Sequence, residues 1–223
     1  MSDVRLIVFD CDGTLVDSQK LIVTAMARAF ADHDLAAPAA EAVRRIVGLS
    51  LVDAMARLIP EAEPDFHVSV AEDYKAQFSV LRHDEALQEP LFDGARGALE
   101  ALQAAGFLLG VATGKTRRGL DHVLALHDLE GYFITLQTAD GHPSKPHPAM
   151  LEAAMDEVGA SPAETILLGD TSYDMMMATA AGAGALGVGW GYHPADELIA
   201  AGARHVADHF DEVAGLINRM LRV

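Results

Sequence analysis

Apolar, strand-like runs alternate with helix-like segments along most of this 223-residue chain, and no other feature of the sequence restricts its fold as strongly. Parallel strands need a crossover connection between them, and a helix usually supplies it. We predict five strands of this kind, at Val4–Phe9, Phe107–Ala112, Phe133–Leu136, Thr165–Leu168 and Ala185–Val188. The predicted fold class is therefore α/β, with a doubly wound and mostly parallel sheet at its centre.

The alternation is interrupted once, between residues 16 and 89, where helical patterns follow one another without a strand. The first predicted helix carries a single apolar stripe, formed by Leu21, Ile22, Ala25, Met26, Ala29 and Phe30. A second begins at Ser50, where Ser50 and Asp53 resemble a capping box, and a third covers residues 66–81. We predict an all-helical domain at residues 16–89, inserted into a core of residues 1–15 and 90–223, with a turn-rich return at residues 90–94.

The charge of the chain restricts its partners. Lys and Arg total 16 against 33 Asp and Glu, and the formal net charge is −17, which disfavours binding to nucleic acid or to an anionic membrane. The sequence has no apolar run of membrane-spanning length and no signal-like start, so we expect a soluble, cytoplasmic protein. Cys11 is the only cysteine, and we predict that it is a small buried side chain rather than a nucleophile.

Two carboxylates follow the first predicted strand, because Asp10 and Asp12 lie two residues apart where the apolar run ends. Residues at this spacing on a strand point to the same side. Two charges at about 4 Å repel each other by roughly 1 kcal/mol even in water, and by more when they are partly buried. We therefore expect a bound cation or a proton to relieve this repulsion.

Further polar residues follow the later predicted strands. Thr113 and Gly114 end the second strand, Lys145 lies in the segment SKPHP, and Asp170 and Asp174 lie in the segment GDTSYD. Ligands of open α/β sheets bind beyond the carboxyl ends of the strands, so we expect these side chains to converge. The aspartates form a hard oxygen-ligand set for Mg²⁺, and the lysine and hydroxyl indicate a phosphoryl group.

Taken in order, the motif DCDGT, the strand that ends in Thr113, SKPHP and GDTSYD resemble the four signature motifs of the haloacid dehalogenase superfamily of phosphatases. The resemblance covers essentially the whole chain and implies a Rossmann-like core. The helical insertion resembles the C1-type cap of that superfamily. The segment VGWGYHPADELIAAGA resembles the phosphoglycolate phosphatase branch, and we predict that its Trp190 and Tyr192 pack the last loop against the core.

The resemblance also implies roles for the aspartates. Asp10 would attack phosphorus to form an aspartyl-phosphate, and Asp12 would protonate the leaving oxygen and then activate the hydrolytic water. Mg²⁺ would be bound by the carboxylates of Asp10 and Asp170 and by the backbone carbonyl of Asp12. Asp174 would be a further metal ligand or would support the ligands. The implied activity is Mg²⁺-dependent hydrolysis of a phosphoric monoester.

The resemblance assigns phosphate contacts to Gly13, Thr113, Gly114 and Lys145. The cap would supply substrate selectivity, and Arg45 is the cap residue that we predict to contact substrate, because RRIVGL leads into a helix-ending glycine. The charged residues that follow Thr113, namely Lys115, Arg117 and Arg118, are predicted to be surface charges at the start of a helix.

Several alternatives stay open at this point. The leading substrate is phosphoglycolate, but related caps accept sugar phosphates, nucleotides or pyrophosphate. A phosphosugar mutase also keeps the second aspartate, whereas haloacid dehalogenases proper lack it. A phospho-accepting receiver domain uses similar residues, but in another order and without a large insertion. The expected partner is a small phosphorylated metabolite, and the chain is a monomer or a homodimer.

Overall fold

A parallel sheet organises the computed structural model, which describes residues 4–221; residues 1–3 and 222–223 of the predicted core lie outside this range. The described strands are β1 (Leu6–Phe9), β2 (Leu108–Thr113), β3 (Thr135–Thr138), β4 (Thr165–Gly169), β5 (Gly184–Val188) and β6 (His205–Ala207). Their order is β3-β2-β1-β4-β5-β6, and all neighbours are parallel. The structure confirms the predicted doubly wound α/β fold.

The sheet contains one strand that the sequence did not predict. Strand β6 has only three residues at the sheet edge, and His205 is exposed, so it lacks the apolar run that marks the other strands. At the sheet centre, Leu6 of β1 pairs with both Leu108 of β2 and Thr165 of β4. The strand order therefore extends to opposite sides of β1, toward β2 on one side and toward β4 on the other, and open α/β sheets form a ligand crevice at such a switch point.

The helical insertion consists of α1 (Gln19–Asp32), α2 (Ala40–Arg44), α3 (Leu51–Leu58) and α4 (Pro64–Leu81) within the described residues. The six residues predicted for the apolar stripe of α1 are all buried. Helix α4 begins at Pro64, two residues before the prediction, because proline is well suited to the first turn of a helix. These helices pack around an apolar cluster that also includes Tyr173 and Tyr192 from outside the insertion.

Alternating side chains of β1 enter two separate apolar layers, one on each face of the sheet. Ile7 and Phe9 lie in the layer covered by α5 (Ala95–Ala104), α6 (Arg117–Leu126) and α10 (Phe210–Leu221). Leu6 and Val8 lie in the layer covered by α7 (Ala149–Val158), α8 (Ser172–Ala180) and α9 (Ala195–Ala200). Cys11 is buried in the first layer, and burial raises the pKa of its thiol, as expected for a packed rather than a reactive cysteine.

The two connections between the insertion and the sheet run side by side. The backbone N–H of Asp17 donates to the carbonyl of Pro90 at 2.8 Å, and the N–H of Phe92 donates to the carbonyl of Leu15 at 3.0 Å. Val16 forms an antiparallel bridge with Leu91 between these two bonds. The chain therefore leaves and re-enters the core at one place, close to the predicted boundaries at residues 16 and 89.

Candidate active site

Asp10 lies directly beyond the carboxyl end of β1, where its backbone N–H donates to the carbonyl of Leu168 at 2.9 Å. Its Oδ1 accepts from the N–H of Cys11 at 2.7 Å and lies 2.9 Å from Nζ of Lys145. Its Oδ2 is buried, and no group within residues 4–221 donates to it. One carboxylate oxygen of Asp10 is thus held by two donors, and the other is left for a ligand.

Asp170 and Asp174 extend this cluster from the loop after β4 and the first turn of α8. Oδ1 of Asp170 accepts from the hydroxyl of Thr14 at 3.0 Å, and Oδ2 accepts from the N–H of Tyr192 at 2.9 Å. Asp174 contacts Nζ of Lys145 through Oδ1 at 2.7 Å, and its Oδ2 accepts from the N–H and the hydroxyl of Thr171. The oxygens of both aspartates are therefore held by neighbouring protein groups, and Asp174 is the one of the two that contacts Lys145.

The charges of this cluster do not balance. Burial raises the pKa of Asp10 to about 7, against the lowering effect of Lys145, and burial also raises the pKa of Asp170 well above its usual range. Burial would lower the pKa of Lys145, but attraction to Asp10 and Asp174 outweighs burial and raises it. The cluster thus contains three buried carboxylates and one ammonium, which contacts Asp10 and Asp174.

The carboxylate oxygens of Asp10, Asp170 and Asp174 lie close enough together to bind a divalent cation. One oxygen from each of Asp10, Asp170 and Asp174 lies within 4.8 Å of the others. Hard oxygen donors of this kind suit Mg²⁺, and a cation would offset the excess negative charge. The unpartnered Oδ2 of Asp10 fits the same interpretation, because a buried carboxylate oxygen without a donor is otherwise costly.

The loop after β1 approaches Asp170 so closely that it requires glycine. Gly13 has a φ of +78°, and a Cβ built on it would lie 2.2 Å from Oδ2 of Asp170. Trp190 closes the other side of this loop, because its Nε1 donates to the carbonyl of Thr14 at 3.1 Å and its ring packs on Phe210. The last loop thus packs on the core at Trp190, and the next residues reach the carboxylate cluster itself.

Thr113 and Gly114 lie at the same edge of the sheet, at the end of β2. Thr113 is buried, and its hydroxyl accepts from the N–H of Lys115 at 3.2 Å. A Cβ on Gly114 would lie 2.7 Å from the carbonyl oxygen of Leu49 and 2.8 Å from that of Gly48. The backbone of the insertion therefore rests directly on Gly114.

Lys115 is the main correction to the predicted site, because it is not a surface charge. Its side chain is only 7% exposed, and its Nζ lies 2.9 Å from Oδ1 of Asp12 and 2.8 Å from Oε1 of Glu89. Burial alone would lower its pKa, but Asp12 and Glu89 raise it well above the usual range. Ser18, the residue before α1, donates a second hydrogen bond to Oδ1 of Asp12.

Lys115, Glu89 and Ser18 were not predicted as site residues. Lys115 follows Thr113 by two residues, so its position at the carboxyl end of β2 was a usable signal. Glu89 precedes the predicted return segment, and nothing in its local sequence indicates that it is buried. Arg117 and Arg118, by contrast, are exposed as predicted.

Arg45, the cap residue that we predict to contact substrate, forms an ion pair with the core. Its guanidinium pairs with Glu197 of α9, with Nη2 2.8 Å from Oε1, and its side chain is 42% exposed. Its carbonyl accepts from the hydroxyl of Tyr173 at 3.0 Å. The ion pair with Glu197 joins the insertion to the core at Arg45. Arg45 does not line the cavity described next.

A cavity of about 390 Å³ lies between the insertion and the core. Its core side is formed by Asp10, Asp12, Thr113, Gly114 and Lys115. Its other side is formed by α1, α4 and residues 46–49 of the insertion. The N–H of Ser50 donates to the hydroxyl of Ser144 at 2.7 Å, so the insertion contacts the loop that carries Lys145. The insertion thus covers the cluster of polar residues.

Comparison with known proteins identifies relatives over nearly the full length. A sequence model of the haloacid dehalogenase-like hydrolase family matches residues 7–188. The protein named Probable phosphatase IndB from Dickeya dadantii is 37% identical over 223 residues, which cover 98% of this chain and 95% of that protein. A phosphoglycolate phosphatase from Vibrio parahaemolyticus is 28% identical over 221 residues, 96% of each chain.

A solved protein structure has a similar fold over nearly the full length of the chain. The crystal structure of a hydrolase from Pseudomonas syringae superposes with a TM-score of 0.85 at 26% identity, covering 96% of this chain and 98% of that chain. Within residues 4–221, no helix combines the length and the apolar character needed to span a membrane.

Proposed function

The chain belongs to the haloacid dehalogenase-like hydrolase family, and on this basis we propose that it is a Mg²⁺-dependent phosphatase that forms an aspartyl-phosphate on Asp10. Hydrolysis of phosphate monoesters is the activity that its relatives indicate. The observation that carries the proposal is the position of Asp10 at the cavity, in contact with Lys145 and beside Asp170 and Asp174.

We assign the cation to the carboxylates of Asp10 and Asp170, with the backbone carbonyl of Asp12 as the further ligand that the family resemblance implies. Asp174 supports this site by holding Lys145 in place, because its Oδ1 lies 2.7 Å from Nζ of Lys145. When bound, Mg²⁺ supplies positive charge that keeps the carboxylates ionised and offsets the charge of the phosphoryl oxygens.

The chemistry proceeds in two displacements at phosphorus. A carboxylate oxygen of Asp10 forms a bond to phosphorus while the bond from phosphorus to the alcohol oxygen breaks, and Asp12 gives its proton to that oxygen. A water molecule then attacks the aspartyl-phosphate and loses a proton to Asp12, which releases inorganic phosphate and restores Asp10. Lys145, Thr113 and the backbone at Gly13 and Gly114 hold the phosphoryl oxygens during both steps.

Residues 16–89 serve as a mobile cap in this proposal. Their apolar cluster is largely separate from the two layers that cover the sheet, and their two connections meet at one place. Closure would exclude water from the cavity during attack, and opening would exchange substrate and product. Phosphoglycolate is the substrate predicted from sequence, and the cytoplasm is the predicted location.

The proposal is tested by measuring phosphate release from a panel of phosphomonoesters, with and without Mg²⁺, for the wild-type protein and Asp10→Asn. We expect release that needs Mg²⁺ and falls by about three orders of magnitude or more in the variant, because the nucleophile is lost. Asp156→Asn, which changes an exposed aspartate of α7, is the matched control and should retain full activity.

Two results would contradict the proposal. Undiminished turnover by Asp10→Asn would exclude the covalent mechanism. Conversion of one sugar phosphate isomer into another without net release of phosphate would instead identify a mutase.

A further inference from the structure

The cap side of the cavity is largely apolar, with Lys75, Ser79 and Arg82 as its polar members. Helix α1 contributes Ile22 and Met26, helix α4 contributes Tyr74 and Phe78, and the segment before α3 contributes Val47 and Leu49. Each of these six residues is at most 8% exposed. A substrate group in contact with this surface is stabilised by burying hydrocarbon and gains little from carrying charge.

This apolar surface lies on the side of the cavity that the leaving alcohol would occupy. The ring centroid of Phe78 is 5.0 Å from Nζ of Lys115, which in turn lies 2.9 Å from Oδ1 of Asp12. Asp12 is the residue proposed to protonate the leaving oxygen. The alcohol part of the substrate therefore meets Phe78 and its neighbours, while the phosphoryl group lies with Asp10 and Lys145.

Four of the described residues that line the cavity are cations, and two of them are already paired with acids. Lys115 is already shared by Asp12 and Glu89, and Lys75 is exposed and bonded to Glu72. Arg82 packs its guanidinium 5.3 Å from the centroid of the Phe78 ring, and its buried Nε has no partner in the described part of the chain. Arg82 and the exposed Arg118 are therefore the lining cations at which a substrate anion would compete with the apolar lining.

The size of the cavity, like its apolar lining, favours a bulky substrate group. Its volume of about 390 Å³ lies within the range, roughly 300–1,000 Å³, of pockets that bind drug-sized ligands. A two-carbon acid would leave most of the apolar surface without contacts. We propose, on the basis of the function proposed above, that the substrate is a phosphate monoester of a bulky, largely apolar alcohol rather than phosphoglycolate.

Four primary alkyl esters test this inference: ethyl, n-hexyl and 2-phenylethyl phosphate, and phosphoglycolate. All four have primary alkoxide leaving groups, so differences in kcat/KM report mainly on contacts with the alcohol part. We expect n-hexyl and 2-phenylethyl phosphate to exceed both ethyl phosphate and phosphoglycolate by about tenfold or more. Each buried methylene contributes a factor of up to about four.

Substitutions of residues that line the cavity test which side chains cause the preference for hydrophobic esters. Phe78→Ala in α4 and Met26→Ala in α1 should each lower the ratio of kcat/KM for 2-phenylethyl phosphate to that for ethyl phosphate by about fivefold or more. The ratio does not depend on how much of the variant is folded, because both substrates report on the same active fraction. Val80→Ala is the control, because Val80 lies on the outer face of α4 and is 66% exposed.

The outcomes separate this inference from the function on which it rests. A kcat/KM for phosphoglycolate equal to or above that for the hydrophobic esters would overturn the inference and would assign the substrate carboxylate to Arg82 or Arg118. An unchanged ratio in both lining variants would overturn it as well. Failure to hydrolyse any of the esters, or hydrolysis that survives Asp10→Asn, would overturn the proposed function together with the inference.

Discussion

At the scale of single residues, Lys115 balances two acids that approach it from different parts of the chain. Asp12 comes from the loop after β1, and Glu89 comes from the end of the insertion. Their carboxylate side chains are 12% and 2% exposed, so neither is well solvated. The ammonium therefore links the proposed acid of the active site to the segment that returns from the cap.

Replacing Lys115 by methionine leaves these two buried carboxylates facing each other without a cation. We expect Lys115→Met to lower the free energy of unfolding by about 3–5 kcal/mol, the usual cost of breaking a buried ion pair from one side. Urea denaturation measures this change. Arg117→Met, which removes an exposed ion pair with Asp121, is the control and should change stability by less than about 1 kcal/mol.

The double variant Lys115→Met/Glu89→Met checks the cause of that loss. Removing Glu89 as well should restore part of the stability, because one of the two unpaired carboxylates is then absent. If the losses from the two single substitutions simply added, the contact between Lys115 and Glu89 would contribute nothing, and the prediction would be wrong.

The residue types and their order were enough to predict where most of the site lies. Asp10, Asp170 and Lys145 each follow a strand, and parallel strands end at one edge of the sheet. The burial of Lys115 and the ion pair of Arg45 were not predicted, for a common reason. A cation near the start or end of a helix has the same local sequence whether it turns into the cavity or out to a partner, and the partners, Glu89 and Glu197, are distant in sequence.

At the scale of elements, the cap contacts the end of β2 at Gly114, and this contact requires a residue without a side chain. Gly114→Ala would place a methyl group against the carbonyl oxygens of Gly48 and Leu49, at 2.7–2.8 Å, and backbone cannot move aside cheaply. We expect kcat/KM to fall by about tenfold or more, because the cap cannot close fully. Steady-state kinetics measures the change.

Gly97→Ala is the matched control for that substitution. Gly97 lies within α5, and a Cβ built on it meets nothing within 4 Å. Alanine there should leave kcat/KM unchanged and stabilise the fold by about 0.5–1 kcal/mol, since glycine weakens a helix interior. An equal effect of both substitutions on kcat/KM would show that cap seating does not limit turnover.

The ion pair between Arg45 of the cap and Glu197 of α9 distinguishes two roles for Arg45. If it joins the cap to the core, Arg45→Ala and Glu197→Ala remove the same interaction and should change KM in the same direction, each by at most about fivefold. A large rise in KM for Arg45→Ala alone would return Arg45 to its predicted role as a substrate contact. Both constants come from the same steady-state assays.

The long elements were predictable because their patterns span several turns or a full strand. The apolar stripe of α1 and the runs of β1 and β4 are of this kind. Helix α2 and strand β6 were missed, because five and three residues do not establish a period. How the cap rests on the core depends on contacts such as Ser50 with Ser144, and no local pattern indicates them.

At the scale of the whole molecule, the net charge of −17 and the buried acidic cluster both favour a bound cation. We expect Mg²⁺ at about 100 times its dissociation constant to stabilise the folded protein by about 2.7 kcal/mol. For a chain of this size that corresponds to a rise in Tm of about 5–10 °C. Differential scanning calorimetry with and without Mg²⁺ measures the shift without any substrate.

Asp170→Asn should remove most of that Mg²⁺-dependent shift, because it takes one carboxylate from the cluster, whereas Asp156→Asn on the exposed face of α7 should retain it. The same rise in Tm for both variants would mean that Mg²⁺ binds elsewhere on this acidic surface.

Because the connections at residues 15–17 and 90–92 are adjacent, the inserted segment between them could be replaced. Because the carbonyl of Leu15 accepts from the N–H of Phe92, the two ends of the cap are already a hydrogen bond apart in the core. A short turn could join them without changing the strand order or the path from β1 to α5. Residues 16–89 are thus a single insertion in topological terms, and helical segments of other sizes could be grafted at this point if they keep the contacts that Ser18 and Glu89 make with Asp12 and Lys115.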